Sequence, residues 1–187
     1  MGEIVLIRHG QTEWSAAGRH TSYTDLDLTG EGERQARVAG ERLFGRTFVA
    51  VISSPRKRAL RTAELAGLTV TETTDDLAEW NYGEYEGITS ATIRESDPGW
   101  SLWTDGAPGG ETPEQITVRI DRVLARALAL TALGDVALIA HGHSLRVAGA
   151  RWIGLPASGG GRLMLGTATL SVLGFEHGEQ AIGSWNA

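Results

Sequence analysis

The sequence predicts an α/β fold, a three-layer α/β/α sandwich around a mostly parallel sheet with one antiparallel edge strand. The first observation behind this prediction is that short apolar, β-branched runs alternate along the chain with longer segments of helical periodicity. The second is that a short turn at His177-Gly178 joins the last two runs, as in a hairpin. Alternating strands and helices favour a parallel sheet covered on both faces, and the hairpin adds the antiparallel edge.

The six predicted strands are short apolar runs that end at turn residues or at a change to polar residues. They cover residues 3–8, 48–53, 68–73, 136–140, 167–175 and 180–185. The starts of the first two helices are predicted from capping residues. Thr29 is the candidate N-cap of a helix over residues 31–44, and Ser54-Pro55 is the candidate start of a helix that runs to about residue 66.

A long helix is predicted to begin at Thr112-Pro113-Glu114-Gln115, a capping box with proline at the first helical position. Ser144 is the candidate cap of a last helix, which runs to residue 153. The apolar residues of the long helix fall on one face, which predicts that this face packs on the sheet. They are Ile116, Ile120, Val123, Leu124, Ala127 and Leu128.

Two stretches, residues 75–87 and 96–110, are rich in Asp, Glu, Gly, Trp and Tyr and match no regular element. Long loops in a compact domain are usually functional. The second stretch is therefore predicted to be a loop insertion that covers a binding site, with Trp100 and Trp103 lying either against substrate or as hydrophobic plugs beneath the loop.

Composition favours a single globular domain over residues 1–187. The chain has 41% hydrophobic and 21% charged residues and no cysteine, which excludes disulfides, thiolate metal sites and cysteine nucleophiles. No apolar run approaches the roughly 20 residues of a membrane-spanning helix, and the N-terminus lacks a signal-peptide pattern, so a cytoplasmic location is expected. The net charge of −6 argues against nucleic acid or an anionic membrane as a partner.

Reactive residues follow the ends of the predicted strands. Arg8-His9-Gly10 ends the first strand, and Ser53-Ser54-Pro55 ends the second, just before Arg58. The third strand leads to Glu79, and the strand at 136–140 ends in His141-Gly142-His143-Ser144. Because the carboxyl ends of parallel strands share one sheet edge, these groups are expected in one crevice. An imidazole can act as nucleophile or acid–base group, and arginine binds phosphate in a planar fork.

The same residues lie within four longer motifs that occur in order along the chain. The motifs are Arg8-His9-Gly10, Ser54-Pro55-(x)2-Arg58-Ala59-(x)2-Thr62-Ala63, Glu79-(x)2-Tyr82-Gly83-(x)2-Glu86-Gly87 and His141-Gly142-(x)-Ser144-Leu145-Arg146. With this combination, the chain resembles the histidine phosphatase superfamily, or phosphoglycerate mutase-like family, over essentially its whole length. It looks closest to the branch of small acid phosphatases and sugar phosphatases.

This resemblance implies a phosphomonoesterase that hydrolyses small phosphorylated metabolites, sugar phosphates among them, without a metal or other cofactor. His9 would be the nucleophile that forms a phosphohistidine intermediate. Glu79 would protonate the leaving group and then activate water. Arg8, Arg58 and His141 would surround the phosphoryl oxygens and stabilise their charge.

Further substrate contacts are expected beside these catalytic groups. The expected substrate-binding residues are Arg8, Ser15, Thr21, Ser22, Arg58, His141, Gly142 and His143. Ser15 stands where many relatives have asparagine. His143 is interpreted as a substrate or supporting contact, although a His-x-His pair on a strand end is also compatible with a metal site. Glu84 and Glu86 are the rival candidates for the acid, and His20 either lines the pocket mouth or lies on an exposed loop.

Two other functions stay open at this point. One is a phosphoglycerate mutase-type isomerase, although residues 95–111 contain no Lys or Arg and four acidic residues, which leaves little there to bind a second anionic group. The other is a protein phosphatase or a noncatalytic phospho-ligand-binding module on the same fold. A small phosphate ester is the favoured partner, with no nucleic acid and no membrane.

Overall fold

The structure, a computed structural model, describes residues 1–43 and 45–187. Its strands are β1 (Ile4–Arg8), β2 (Phe48–Ser53), β3 (Glu72–Thr73), β4 (Asp135–Ala140), β5 (Leu170–Glu176) and β6 (Glu179–Ser184). They form one sheet in the order β3-β2-β4-β1-β5-β6. The first four strands are parallel, β5 runs antiparallel to β1, and β6 pairs antiparallel to β5 at the edge. The predicted mostly parallel sheet with an antiparallel edge is confirmed.

The helices connect and cover these strands. They are α1 (Glu13–Ala16), α2 (Gly30–Arg42), α3 (Lys57–Leu65), α4 (Ser90–Ser96), α5 (Leu102–Asp105), α6 (Pro113–Leu130) and α7 (Gly142–Trp152), with 3-10 turns at Asp75–Leu77, Gly83–Tyr85 and Ala157–Arg162. Within the two described ranges, no helix combines the length and apolar character that crossing a bilayer requires. The helix predicted over residues 31–44 corresponds to α2, and its predicted last residue, Phe44, lies outside the described residues.

Alternate residues of the central strands face opposite apolar layers, because successive side chains of a strand point to opposite sides. Ile4 and Leu6 belong to one apolar cluster with Ile120 of α6. Val5 belongs to a second cluster with Ala39 of α2 on the other face of the sheet. The predicted three layers are therefore confirmed, and the sheet is buried between helices on both faces.

The cap predictions for α2 and α6 are confirmed by their hydrogen bonds. The hydroxyl of Thr29 accepts from the Gly32 nitrogen at 3.0 Å. At α6, the Thr112 hydroxyl accepts from the Gln115 nitrogen at 3.2 Å, and the Gln115 side chain accepts from the Thr112 nitrogen at 2.8 Å. The predicted apolar face of α6 is buried, with Leu128 partly so.

The two serine caps were predicted wrongly. Helix α3 starts at Lys57 with Arg56 as N-cap, because the Ser54 nitrogen still donates to the Ile139 carbonyl as an extension of the sheet. Helix α7 starts at Gly142 with His141 as N-cap, so Ser144 lies inside its first turn. There the Ser144 nitrogen donates to a side chain that is distant in sequence, as described below.

The third predicted strand is shorter than residues 68–73. Before β3, Thr71 bonds to Val51 of β2 through both backbone and side chain: its nitrogen donates to the Val51 carbonyl at 2.9 Å, and its hydroxyl accepts from the Val51 nitrogen at 3.0 Å. The two stretches predicted as irregular contain the first two 3-10 turns and α5, and α4 begins after Thr89, whose hydroxyl accepts from the Thr92 nitrogen at 3.1 Å. Short elements such as these have too few residues for a periodic signal.

Candidate active site

His9 follows β1 directly and is almost completely buried, with 5% of its surface exposed. Its backbone nitrogen donates to the Ala140 carbonyl at 2.9 Å, which extends the pairing of β1 with β4 past the strand end. Nδ1 lies 2.7 Å from the Gly10 carbonyl oxygen. A carbonyl only accepts hydrogen bonds, so Nδ1 carries the proton and Nε2 keeps its lone pair.

The surroundings of His9 favour this neutral imidazole. Burial lowers its pKa well below the usual range, and the positive charges of Arg58 and Arg8 lower it further. The Gly10 hydrogen bond opposes these effects but is the smallest of them. A neutral ring with a free Nε2 is the form of histidine that can act as a nucleophile.

Arg8 lies beside His9 with its guanidinium close to the start of α7. One Nη donates to the Leu165 carbonyl, while the buried Nε makes no hydrogen bond to any residue that the structure describes. Gly142 gives this group room, because a Cβ at that position would lie 3.3 Å from the Arg8 Cζ. The partly buried guanidinium also lines the cavity described below and is suited to bind an anionic oxygen there.

Arg58 and His141 form a buried pair next to His9. Arg58 Nε donates to His141 Nδ1 at 3.2 Å, so the other ring nitrogen of His141, Nε2, carries a proton and donates to the Ser54 hydroxyl at 2.7 Å. Burial lowers the pKa of His141 well below its usual range, and Arg58 and then His9 add to the effect. The His141 and His9 rings are 5.1 Å apart, centroid to centroid.

The other donors of Arg58 hold the loop that precedes α2. Its Nη groups donate to the carbonyl oxygens of Thr24 at 3.0 Å, Thr21 at 3.1 Å and Ser22 at 3.0 Å. Arg58 is 1% exposed, and burial lowers its pKa, with the charges of Glu79 and Asp25 acting in the opposite direction. Arg58 and His141 thus bond to the protein itself, with the His141 ring next to that of His9.

Glu79 reaches the site from the loop after β3 and is 7% exposed. Its Oε1 accepts from the backbone nitrogens of Trp80 and Ser144, each at 2.9 Å, and its Oε2 accepts from the His143 nitrogen at 3.0 Å. The last two N–H groups belong to the first turn of α7, where a helix has unpaired donors and a partial positive charge. The carboxylate is thus held on the N-terminal end of this helix.

Glu84 and Glu86, the rival acids, have other positions. The Glu86 carboxylate accepts from the Ser22 nitrogen, the Ser22 hydroxyl and the Thr24 nitrogen at 2.7–3.1 Å. The Glu84 side chain lies next to Gly109. Of the three, Glu79 is the one that reaches the cavity beside His9.

His143 is connected to an aromatic group that sequence reasoning did not include. Its Nδ1 lies 2.6 Å from the Tyr82 hydroxyl. Burial and the nearby charge of Glu79 raise the pKa of Tyr82 well above its usual range, so the phenol donates and His143 Nδ1 accepts. Burial and Arg146 lower the pKa of His143, which leaves it neutral with its proton on Nε2.

The cavity in front of His9 has a volume of about 250 Å³. Its wall contains Arg8, His9, Thr12, Ser15, Gly18, Arg19, His20, Thr21, Glu79, Tyr82, Ser90, Gly142, His143, Arg146 and Leu165. Seven of the ten predicted site residues are therefore brought together at this wall. Arg58 and His141 do not belong to it, because they are buried and bonded within the protein. Ser22 lines a neighbouring depression, and its hydroxyl donates to Glu86.

Two predicted contacts on the wall have internal partners. The Ser15 hydroxyl completes a capping box with Thr12 in α1, accepting from the Thr12 nitrogen at 2.9 Å, and the Thr21 hydroxyl donates to the Arg19 carbonyl at 3.1 Å. His20, predicted either to line the pocket mouth or to lie on an exposed loop, is found on the wall. It is 7% exposed, and its Nε2 lies 3.2 Å from the Ser90 hydroxyl oxygen.

Arg146 is a wall residue that sequence reasoning missed. Its guanidinium lies 4.6 Å above the Trp103 ring, and it donates to the Gly160 and Gly161 carbonyls at 2.9 and 3.1 Å. The signal was present, because residues three apart in a helix share a face and Arg146 follows His143 at that spacing.

Residues 96–110, predicted to cover the site, contribute no residue to the described wall. Trp100 is buried and donates through Nε1 to the Gly106 carbonyl at 2.9 Å, while Trp103 packs 5.1 Å from the His143 ring. The described ranges also contain no group of three or more His, Cys, Asp or Glu side chains arranged to hold a metal ion.

Comparison with known proteins places this site in a family. The family model of the histidine phosphatase superfamily (branch 1) matches residues 4–187. An acid phosphatase of Mycobacterium tuberculosis is 48% identical over 178 residues, which cover 94% of this chain and 87% of the relative. A sedoheptulose 1,7-bisphosphatase of Saccharomyces cerevisiae is 36% identical over 182 residues, which cover 81% and 67%.

A solved structure gives the same result in three dimensions. The product of an open reading frame of Mycobacterium tuberculosis, Rv3214, superposes with a TM-score of 0.97 at 45% identity, over 99% of this chain and 97% of that chain. The family model, the relatives and the arrangement around His9 agree. The chain belongs to the histidine phosphatase superfamily and is a phosphatase of that family.

Proposed function

We propose that this phosphatase hydrolyses small phosphorylated metabolites through a phosphohistidine intermediate on His9, without a metal ion. The observation that carries the proposal is the Nδ1–H···O=C hydrogen bond from His9 to Gly10, because it leaves Nε2 unprotonated in a cavity that Glu79 also lines. A nucleophile and a proton donor in one small cavity are the two groups that this chemistry needs.

In the first step, the Nε2 lone pair of His9 attacks phosphorus and the bond from phosphorus to the ester oxygen breaks. Glu79, in its protonated form, gives its proton to the departing alkoxide. The guanidinium of Arg8, which lines the cavity, offers donors to the phosphoryl oxygens, and the buried charge of Arg58 stabilises the same region. Donors that are already oriented in a buried site stabilise developing charge efficiently.

In the second step, the Glu79 carboxylate accepts a proton from water, and the resulting hydroxide attacks phosphorus. The bond from phosphorus to Nε2 breaks, inorganic phosphate leaves, and Glu79 is protonated again for the next cycle. The neutral state of His9, favoured by its burial, makes the ring a suitable leaving group and nucleophile in turn.

The dimensions and chemistry of the cavity support a small, polar substrate. Its volume of about 250 Å³ is below the roughly 300–1,000 Å³ of sites for drug-sized ligands. His143 offers an Nε2–H donor at the wall, and the hydroxyl groups of Ser15, Ser90 and Thr21, which have partners within the protein, make the wall polar. Together with the named activity of the yeast relative, this polar wall makes sugar phosphates the first substrate class to test.

The test is hydrolysis of an aryl phosphate between pH 4 and 8 with a chelator present, comparing the wild type with His9→Ala. His177→Ala is the control, since His177 is 91% exposed at its side chain in the β5–β6 turn. The proposal expects a chelator-resistant activity that His177→Ala retains and His9→Ala loses, together with an acid-labile phosphoryl label on His9. Residual activity in His9→Ala, or a need for added metal, would contradict it.

A panel of sugar phosphates then identifies the substrate class, with exchange between phosphoglycerate isomers measured in parallel. Hydrolysis without isomer exchange supports a phosphatase over a mutase. Isomer exchange that exceeds hydrolysis would instead favour the mutase alternative.

A further inference from the structure

The loop that carries Glu79 is held from behind by one arginine of α6. Arg119 Nη1 donates to the carbonyl oxygens of Asp76 at 2.8 Å and Ala78 at 2.7 Å, and Nη2 lies 3.2 Å from the carbonyl of Glu79 itself. Three backbone carbonyls within four residues thus receive hydrogen bonds from a single guanidinium. These hydrogen bonds therefore position the backbone of Glu79 and of the residues just before it.

Arg119 is itself held by Glu111. The pair is bidentate, with Nε to Oε1 at 2.6 Å and Nη2 to Oε2 at 2.8 Å, and the two side chains are only 11% and 12% exposed. A bidentate guanidinium–carboxylate pair has a defined geometry, and one with little solvent contact is screened much less than a surface pair.

Glu111 also binds the other side of the same loop. Its carbonyl accepts from the Trp80 indole at 2.8 Å, its nitrogen donates to the Asn81 carbonyl at 2.9 Å, and its carboxylate accepts from the Asn81 nitrogen at 3.3 Å. The residues on both sides of Glu79 are therefore tied to the Arg119–Glu111 pair, and the Trp80 side chain is fully buried.

These contacts complement those of the Glu79 carboxylate. The carboxylate oxygens are located by N–H groups of α7, whereas the Glu79 backbone is located by Arg119 of α6. Helix α6 thus positions the backbone of Glu79, and helix α7 positions its carboxylate. Displacing the backbone end would move the carboxyl group relative to His9, and a displacement of about 1 Å can reduce a rate by about 10²-fold.

We infer that Arg119 and Glu111 are positioning residues, which set the placement of Glu79 for proton transfer to the leaving group. The inference rests on the proposed function, because it matters only if Glu79 is the proton donor. Neither residue belongs to the described wall of the cavity in front of His9. Both line the neighbouring depression, and their side-chain hydrogen bonds are to each other and to the Glu79 loop, so we infer that they act through that loop.

The leaving group of the substrate provides the test. An alkyl phosphate needs its oxygen protonated as it departs, whereas an aryl phosphate with an acidic phenol needs little protonation. Arg119→Lys keeps the charge but loses the planar fork that serves Glu111 and the carbonyls together. We expect kcat/KM for the alkyl ester, which reports the transfer of the phosphoryl group to His9 and not the later attack by water, to fall about 10- to 100-fold, with kcat/KM for the aryl ester changed by less than about 3-fold.

Arg122→Gln is the matched control. Arg122 lies one turn further along α6 and also reaches the Glu79 loop, but it pairs with the Asp76 side chain and is 58% exposed. Exposed pairs contribute little, so both ester rates should stay near the wild-type values.

A double variant separates positioning from general damage. In a Glu79→Gln background, Arg119→Lys should cause no further change in the ratio of alkyl to aryl rates, because the group that it positions is already absent. A parallel loss of kcat/KM on both esters in Arg119→Lys, while Glu79→Gln remains selective for the alkyl ester, would overturn this inference alone. If Glu79→Gln itself lowers kcat/KM for both esters equally, the proton-donor assignment in the proposed function fails.

Discussion

Oε1 of Glu79 lies 2.9 Å from the backbone nitrogen of Ser144, so the proposed proton donor also caps the helix that follows His141. Oε2 accepts from the neighbouring nitrogen of His143 at 3.0 Å. A side chain 65 residues away in sequence thus performs the task of an N-cap. One carboxylate couples the geometry of the Glu79 loop to the end of β4 and to the start of α7.

This capping role predicts a stability difference between two substitutions of Glu79. Glu79→Ala leaves two N–H groups of α7 without their acceptor and should lower the free energy of unfolding by about 1–2 kcal/mol. Glu79→Gln keeps an amide oxygen as acceptor and should lose less than about 1 kcal/mol. Urea unfolding at pH 7 measures both, with Glu84→Ala as the control. Equal losses in the two Glu79 variants would show that the cap contributes little.

The second prediction concerns the tautomer and the acidity of His9. Imidazole 15N NMR should find the proton on Nδ1 and a pKa well below the usual histidine value of about 6.5, since burial and two arginines disfavour the charged ring. Arg58→Gln removes one of these charges and should raise the pKa of His9, while His177 should be unaffected. A His9 that titrates at or above the usual value would contradict the neutral nucleophile.

The third prediction is a loss of stability in mild acid. The pKa values of His9, His141 and His143 are all held well below the usual range in the folded protein. As pH falls through about 6.5, the unfolded chain binds protons that the folded chain does not, so the free energy of unfolding must fall. The loss of stability continues until the pH reaches the lowered pKa values that these histidines have in the folded protein, and there their contribution levels off.

Urea midpoints at pH 7.0, 6.0 and 5.0 measure this dependence. The decrease of the urea midpoint with falling pH should be smaller in His141→Gln, which removes one of the three imidazoles. It should be unchanged in the control His177→Gln, whose side chain is exposed. A midpoint that does not move between pH 7 and 5 would contradict the lowered pKa values, because it would mean that the folded and unfolded chains bind the same number of protons over this range.

The fourth prediction tests the capping box of α6, the helix that carries Arg119. Thr112→Ala removes the hydroxyl that accepts from the Gln115 nitrogen and should lower the free energy of unfolding by about 1 kcal/mol. Val118→Ala, at a position of the same helix that is 57% exposed, should change it by less than about 0.5 kcal/mol. Thermal or urea unfolding of the two variants provides the comparison, and equal effects would remove the cap as the cause.

The alternation of strands and helices was readable from the sequence because it depends on local periodicity. The continuous apolar run at the start of Ile4–Arg8 indicates a strand covered on both faces, and the spacing of the apolar residues of α6 indicates which face of that helix is buried. The cap at Thr112 was equally readable, since all of its hydrogen bonds lie within four consecutive residues. His9 and His141 were found as candidates because they follow such strands.

Ser54 and Ser144 show where local reasoning failed. Both have the residue type of an N-cap. The Ser54 N–H instead donates to the Ile139 carbonyl and extends the sheet, and the Ser144 N–H donates to the Glu79 carboxylate. The Arg119–Glu111 pair behind the Glu79 loop and the Tyr82–His143 hydrogen bond also join residues that are distant in sequence.

The sequence by itself therefore determined the order and type of the main elements and the reactive residues at their ends, since periodicity and capping act over a few residues. The tertiary structure decided which carboxylate lines the cavity with His9, which tautomer the His9 ring adopts and which arginines bind the protein instead of lining the cavity. These outcomes depend on burial and on hydrogen bonds between separate segments, and such contacts exist only once the sheet brings its strand ends to one edge.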